Sequence, residues 1–378
     1  MTVEMMTLGG AKRELDATAV DGLRSRMRGP VLTAADAGYD AARRIWNAMI
    51  DKRPALIARC AGAADVVEAV RFAAAHEVLV SVRGGGHNVA GTAVCDSGLM
   101  IDLSPMKGIH VDPVARTAWA QPGLLWQDFD HETQAFGLAT TGGIVGETGI
   151  AGLTLGGGVG WLVRKHGLAC DNLVAADVVT ADGRLRRATP DENGDLFWAL
   201  RGGGGNFGVV TAFQYRLHAV STILGGLVIH PRGAARDVIR FHRDFVTSAP
   251  EELTSYVGLL TAPDGVPVVA VASCYCGDLQ EGERVLRPLR EFGSPLVDDM
   301  KPMPYAGMQG LFGPGFPWGN RNYWKSSFLR ALPDAAVDAV VDHADRGKSP
   351  LSAVGLEYYG GAASRVASSA TAFPHREA

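Results

Sequence analysis

Apolar residues recur along this chain with two periods, and the places where one gives way to the other mark out its elements. In ADVVEAVRFAAAHE, Val66, Val67, Val70 and Phe72 to Ala74 supply one apolar face at helical spacing. DGLRSRMRG, at residues 21–29, reads as a second helix, whereas PALIARC and VLVSVR are short runs rich in β-formers. The first third therefore predicts a β-α-β unit that ends in a glycine turn, RGGGHNVAG at 83–91. A strand-rich block follows, in which TADG makes a hairpin between VAADVVT and RLRRAT. DLFWALRGGGGNFGVVTAFQYRL then runs from helix through a glycine turn into a strand, with Val209, Phe213 and Tyr215 on period-2 positions.

Near His218 the character changes. Glycine clusters vanish, and GLVIHP, SYVGLLTAP, PVVAVASCYCG and NYWKSSFLRAL read as strands between the helical stretches AARDVIRFHRDFVTSA and LQEGERVLRPLREFG. This predicts a second α+β domain on a largely antiparallel sheet, with residues 1–218 and 219–378 as the two domains. A length of 378 residues agrees with two domains.

Composition narrows the class. With 47% hydrophobic and 20% charged residues the chain is globular, and its formal charge of −4 is spread without long runs of one sign. Nucleic acid and anionic membrane are thereby disfavoured as partners, and a small neutral or mildly charged substrate fits better. No window approaches the apolar length of a membrane span, and the N-terminus lacks a signal-type apolar run, so a cytoplasmic location is expected. Cys60, Cys95, Cys170, Cys274 and Cys276 are scattered without zinc-ligand spacing. They read as buried thiols in a reducing compartment, and no metal site is expected.

The candidate chemistry lies in three glycine clusters: RGGGHNVAG at 83–91, TGGIVGETGIAGLTLGGGVG at 141–160 and RGGGGNFGVV at 201–210. Backbone free of Cβ atoms can approach a ligand closely, so the three together suggest main-chain amides around an extended, phosphate-bearing molecule. A Rossmann fingerprint does not fit, because GGGGNFG lies late and a strand follows it. No Walker loop occurs. Arg83 and the glycine amides favour an anionic ligand and disfavour an imidazolium at His87.

R-G-G-G-H-N-x-A-G, Asp102-Leu103, G-x-A-G-L-T-L-G-G-G-x-G at 149–160, R-K-H-G-L-A-C-D-N at 164–172, A-D-V-V-T-A-D-G at 176–183 and D-L-F-W-A-L-R-G-G-G-G-N-F-G-V-V at 195–210 stand in this order. Over roughly residues 30–375 the chain resembles the berberine bridge enzyme-like FAD-linked oxidases of the vanillyl-alcohol oxidase superfamily. The resemblance implies an α+β, two-domain PCMH-type FAD-binding fold with a substrate domain on an antiparallel sheet. It also implies oxidation of an alcohol, sugar or secondary metabolite by hydride transfer to FAD, with O2 as the expected acceptor. A dehydrogenase using another acceptor, or an FAD-holding protein without turnover, are the alternatives.

Carried onto this sequence, the resemblance makes Arg83, Gly84, Gly85, Gly86, His87 and Asn88 the pyrophosphate loop, with His87 bonded covalently to the flavin. It places Gly142, Gly149, Gly152, Gly157 and Gly158 along the ribityl and flavin region, and Asn172, Asn206, Gly208 and Val210 at further cofactor contacts. Where some relatives have a second, cysteinyl tether this chain has Val145 or its neighbours, so a single bond is implied. His166 stands where some relatives carry an acidic tyrosine, and Tyr323 and Lys325 share one face of a presumed substrate-side strand. These three are the catalytic candidates, with Glu357, Tyr358 and Tyr359 on another substrate-side strand. The family pattern continues beyond A-F-P-H-R at 372–376, so a missing closing segment and reduced stability are expected.

Overall fold

The computed structural model describes residues 2–377. Its first half holds two sheets. In the smaller, the strands run in the order Val31–Leu32, Leu56–Arg59, Leu99–Asp102, Val80–Arg83, and the last three are mutually parallel. Parallel strands need crossovers, and the helix Ala63–His76 supplies one, burying Val66, Ala69, Val70, Phe72 and Ala73 against Leu56, Ala58, Leu99 and Ile101. The predicted β-α-β unit is therefore present, with the strand Leu99–Asp102 inserted between its two strands.

The second sheet is antiparallel, in the order Leu185–Ala188, Leu173–Val179, Val209–Arg216, Thr117–Ala120, Ile109–Asp112. Gly183 takes φ +70° in the hairpin that TADG forms. Phe213 and Tyr215, two apart in the sequence, bury on one face of this sheet with Trp126 and Phe129.

The chain leaves that sheet at Arg216, pairs His218–Ala219 with Leu138–Ala139, and enters a six-stranded antiparallel sheet at Thr222. Its main path is Val297–Asp298, Thr222–Pro231, Pro267–Tyr275, Leu253–Thr261, Val354–Tyr358, and Lys301–Pro304 also pairs with Thr222–Pro231. Both faces are covered, and the pleat separates them. Val257, Leu259, Val269 and Val271 meet the helices Ala235–Ser248, Leu279–Arg290 and Asp334–Asp345, whereas Tyr256, Ala272 and Cys274 meet Trp161, Leu162 and Tyr305 from elsewhere in the chain.

Charge spacing sets how two of those helices lie. Arg236 and Arg240 both reach Asp338, at 3.3 and 2.7 Å, and Arg243 reaches Asp334 at 2.7 Å. Each such exposed pair adds little, but the four-residue spacing on both helices fixes one register. All five cysteines are free and buried. Among the described residues no helix is long and apolar enough to cross a membrane, and no group of His, Cys, Asp and Glu could hold a metal ion.

Behind the sheet, His242 Nε2 lies 2.9 Å from Ser255 Oγ, which lies 2.8 Å from Ser273 Oγ. All three side chains are buried, and burial pushes the imidazole down to about 4. The unfolded chain therefore binds a proton at this site that the folded chain refuses between the ordinary histidine range and about pH 4. Stability should be held above pH 6.5 and lost progressively below it, by about 3 kcal/mol from His242 alone. Melting temperature measured from pH 7 to pH 4.5 should fall more steeply for the wild type than for His242→Gln. Parallel slopes would remove His242 from the account.

Candidate cofactor and active site

The three glycine clusters converge because glycine lets their backbones touch. A methyl on Gly85 would stand 2.5 Å from Gly149 Cα, so the first and second clusters meet with no room for a side chain on either. The second and third are tied by Leu155 O, which accepts from Gly202 N at 3.1 Å and Gly204 N at 2.8 Å. The second also folds on itself, since a methyl on Gly160 would strike Gly142 O.

The loop after the strand Val80–Arg83 has the features of an anion cradle. None of the main-chain N–H groups of residues 84–88 donates to another described residue, and Gly86 takes φ +74°. A run of main-chain amides left free in this way is a concave donor array. At its end the His87 ring stacks on Trp46, centroids 4.3 Å apart and planes 19° from parallel. His87 Nε2 is buried without a hydrogen-bond partner, and burial holds the imidazole below its ordinary range. An orphaned neutral ring nitrogen beside unpaired amides is a feature that a bound phosphate-bearing cofactor would complete.

Trp46 is itself fixed from far along the chain. Its Nε1 donates to Phe316 O at 2.9 Å, Asn47 Nδ2 donates to Asn322 O at 2.8 Å, and Asn322 N returns a bond to Asn47 Oδ1 at 2.9 Å. Asn47 Nδ2 also reaches Val89 O at 2.9 Å, beside the loop. Sequence reading passes over Trp46 and Asn47 because nothing periodic surrounds them.

The other cofactor candidates take varied positions. Arg83 donates to Ala42 O and packs against the loop, since a methyl on Gly86 would stand 3.1 Å from its Nε, which lies 4.0 Å from the buried Asp102. The Asn88 side chain accepts from Thr92 N at 2.9 Å. A methyl on Gly142 would meet the Trp126 ring at 2.8 Å, one on Gly158 would meet Ala169 and Leu153 at 2.5 Å, and one on Gly208 would meet Val179 O at 2.6 Å. Only open space lies beyond Gly152. Val210 buries in the core, and Asn206 is exposed, its amide on Gly203 O at 2.9 Å.

Gly157 makes room for a part of the chain itself. A methyl there would stand 2.5 Å from the Phe373 ring, and one on Gly202 would stand 2.4 Å from Phe373 N. Residues 369–376 thus lie against the second and third clusters, with Trp198 Nε1 on Ser369 O and Arg201 Nη2 on Ala370 O, both at 2.7 Å. Arg376 is 1% exposed and grips Asp171 with two bonds of 2.7 Å. Asp171 Oδ2 in turn accepts from Leu168 N at 2.9 Å and so holds the turn that ends in Asn172.

From that turn Asn172 Nδ2 donates to His166 O and Leu168 O at 2.9 Å, leaving its oxygen to His218 Nε2 at 2.7 Å. Since the amide nitrogen is spent on carbonyls, His218 Nε2 carries the proton. The His218 ring stacks on His166 at 3.8 Å, and burial pushes His166 to about 3 and His218 to about 4. Both stay neutral at ordinary pH.

Tyr323 and Lys325 do share a face, with Lys325 Nζ 5.7 Å from the Tyr323 ring centroid. The stretch is not a strand, however: residues 321–329 make no ladder, and Tyr323 is 76% exposed. Period 2 describes an extended chain, but a strand also needs a partner. In the strand Val354–Tyr358 alternate residues take opposite faces of the sheet. Glu357 pairs directly with Tyr256, so both side chains lie on one face, and Tyr256 OH donates to Gly160 O of the second cluster at 3.0 Å. The Glu357 carboxyl is accessible, yet the protein around it raises it above the ordinary carboxylate range.

Comparison with known proteins agrees with this geometry. Residues 54–189 match the model of an FAD binding domain. A FAD-linked oxidoreductase of Dictyostelium discoideum is 33% identical over 319 residues, 84% of this chain and 69% of the relative. The (R)-6-hydroxynicotine oxidase of Paenarthrobacter nicotinovorans is 33% identical over 326 residues, 85% of this chain and 71% of that protein. Among solved structures, a chitooligosaccharide oxidase superposes with a TM-score of 0.81 at 28% identity, over 95% of this chain and 80% of that one.

Proposed function

Because the chain belongs to the berberine bridge enzyme-like FAD-linked oxidoreductases, we propose that it oxidises a small alcohol, sugar or secondary metabolite, with O2 as acceptor and with its FAD tethered through His87. The observation that carries the tether is the buried, unpartnered His87 Nε2 at the end of the free amides of residues 84–88. When bound, FAD supplies a two-electron acceptor for hydride. What the chain supplies is binding, alignment and proton removal.

Residues 84–88 offer their amides to the pyrophosphate, and Trp46 holds the His87 ring in one plane. His166 stays neutral and serves as a fixed hydrogen-bonding group rather than a base, since burial leaves it little proton affinity. Proton removal from the substrate falls to Glu357, whose raised carboxyl is a stronger base than an ordinary carboxylate. Tyr323 and Lys325, exposed on the same side of the chain, bind the substrate's polar end.

A panel of alcohols and sugars should bleach the flavin anaerobically, and air should restore the colour. A base must be deprotonated to act, so kcat/KM should rise with pH through a value above the ordinary 4.5 of a glutamate. Glu357→Gln should lower kcat/KM by about 10²- to 10⁴-fold and abolish that acid limb. A variant with unchanged rate and profile would assign proton removal elsewhere, and a flavin that no substrate bleaches would refute the oxidation itself.

A further inference from the structure

Two helices far apart in the sequence meet at a buried polar seam. Trp126 and Asp130 lie four residues apart on the helix Trp126–Gln134, and Tyr305 and Gln309 four apart on Tyr305–Gly310, so each pair shares one face. The helices pack on each other, and none of the four side chains is more than 1% exposed. One bond joins carboxyl to amide: Gln309 Nε2 donates to Asp130 Oδ2 at 2.9 Å. The other polar atoms of these side chains are unpaired. Asp130 Oδ1 and Gln309 Oε1 have no partner, and neither have the two donors, Trp126 Nε1 and the Tyr305 hydroxyl. Since neither donor reaches Oδ1, an ionised Asp130 would bury a full charge on a single amide bond.

No opposite charge offsets that burial. The charged side chains on the elements around it are Asp128, His131 and Glu132 on its own helix, His110 and Asp112 on the strand Ile109–Asp112, and Glu147 in the second cluster, and all are partly or fully exposed. Leu138–Ala139 and Tyr305–Gly310 carry none. The phenols of Tyr305 and of Tyr215, beyond Trp126, are raised by burial and stay uncharged. A proton on Oδ1 removes the difficulty. Two oxygens that only accept cannot serve each other, whereas a protonated carboxyl and a carboxamide each offer one donor and one acceptor. In keeping with this, burial pushes the Asp130 carboxyl up to about 7. What the pair holds is the second glycine cluster. Gln309 O accepts from Gly146 N at 3.0 Å, and Gly146 O accepts from Gln127 N at 2.9 Å. A methyl on Gly142 would stand 2.8 Å from the Trp126 ring and 3.0 Å from Gln309 Nε2.

We propose that Asp130 is a positioning residue that works as the neutral acid: its carboxyl donates to Gln309 Oε1 while accepting from Nε2, and this two-bond pair holds residues 142–146 of the cofactor cradle in place. Loss of the proton opens the pair. The pair stands on packing and hydrogen bonding alone and does not depend on the oxidoreductase reading.

The test begins with infrared spectra of the purified flavin-loaded chain at about pH 6, where ordinary aspartates are ionised. A protonated-carboxyl band is expected that carbon-13 in the aspartate carboxyls moves and that Asp130→Asn lacks. The label separates it from Glu357, whose carboxyl is also raised. The unfolded chain releases this proton in the ordinary aspartate range and the folded chain only at about 7, so the site's contribution to stability falls as pH rises between the two. Asparagine is neutral at every pH and keeps both bonds. Asp130→Asn should therefore rise in melting temperature relative to the wild type from about pH 4 to about pH 7 and run parallel above that, His242 cancelling because it titrates in both. Hydrogen exchange of peptides spanning residues 142–149, corrected for the intrinsic rate, reads the hold. Protection should drop about tenfold or more in the wild type above about pH 7, be low in Asp130→Ala throughout, and be restored by Asp130→Asn. Absence of a label-sensitive band at about pH 6, a melting difference that is flat with pH, or equal protection in wild type and variants would each overturn the proposal. If a variant does not fold, the labelled band and the pH dependence of protection in the wild type decide it.

Discussion

Alanine in place of His87 should release every flavin from the denatured polypeptide. Wild-type chain precipitated with acid is expected to stay yellow and fluorescent under ultraviolet light, with one flavin-bearing tryptic peptide, the one containing His87. The expectation comes from the ring's surroundings. Its Nε2 is buried and unpaired, its protonated form is disfavoured, and Trp46 fixes its plane. A neutral imidazole so held keeps a lone pair free for bond formation, which an imidazolium would lack. In His87→Ala the free amides of residues 84–88 remain, so the variant should still bind FAD without the bond and lose it on denaturation. Cys170 does not offer a second site. Its thiol is buried, and burial raises it to about 12, so little thiolate exists at neutral pH. A colourless wild-type precipitate, or a flavin adduct on another peptide, would overturn the assignment.

The largest stability effect is expected at Arg376. Its guanidinium holds Asp171 with two parallel bonds of 2.7 Å and also reaches Thr371 Oγ1 and Ala363 O, at 2.7 and 3.1 Å. Removing one member of a buried pair strands the other charge away from water, at a cost of about 3–5 kcal/mol. Arg376→Met should therefore destabilise by about that amount, measured as a shift of the first urea transition at constant slope. The double variant Arg376→Met, Asp171→Asn should recover much of the loss, because the stranded charge is gone. Additive losses in the two single variants would show that the pair does not act as a unit. The single variant should also loosen the Leu168 to Asn172 turn, and with it the stacked His166 and His218.

What the sequence made legible follows from what periodicity records. The helices Ala63–His76 and Ala235–Ser248 and the strands Leu253–Thr261 and Pro267–Tyr275 each bury one face or two, and such burial repeats along the chain. The glycine clusters were legible for a related reason, since close backbone approach excludes every side chain. The identity of the approaching group leaves no trace in the sequence. Gly85 admits Gly149, Gly142 admits Trp126, and Gly157 admits Phe373, although all three glycines read alike. Tyr323 and Lys325 keep strand-like spacing with no ladder, because pairing depends on a second segment that spacing does not encode. Trp46 and Asn47 carry no local signal, as their partners lie 270 and 275 residues away.

That last separation has a bearing on how the protein is made. Bonds from Trp46 and Asn47 to Phe316 and Asn322 cannot form until the ribosome has released the later segment. At about 5–20 residues per second, the interval between emergence of the two partners is on the order of tens of seconds. For that time His87 and the amides beside it stand without their far wall, and the nascent chain presents an open groove to the small molecules around it. Closure then comes from residues translated late, so the order of synthesis leaves a window before Trp46 is locked in place in which the proposed site stands open.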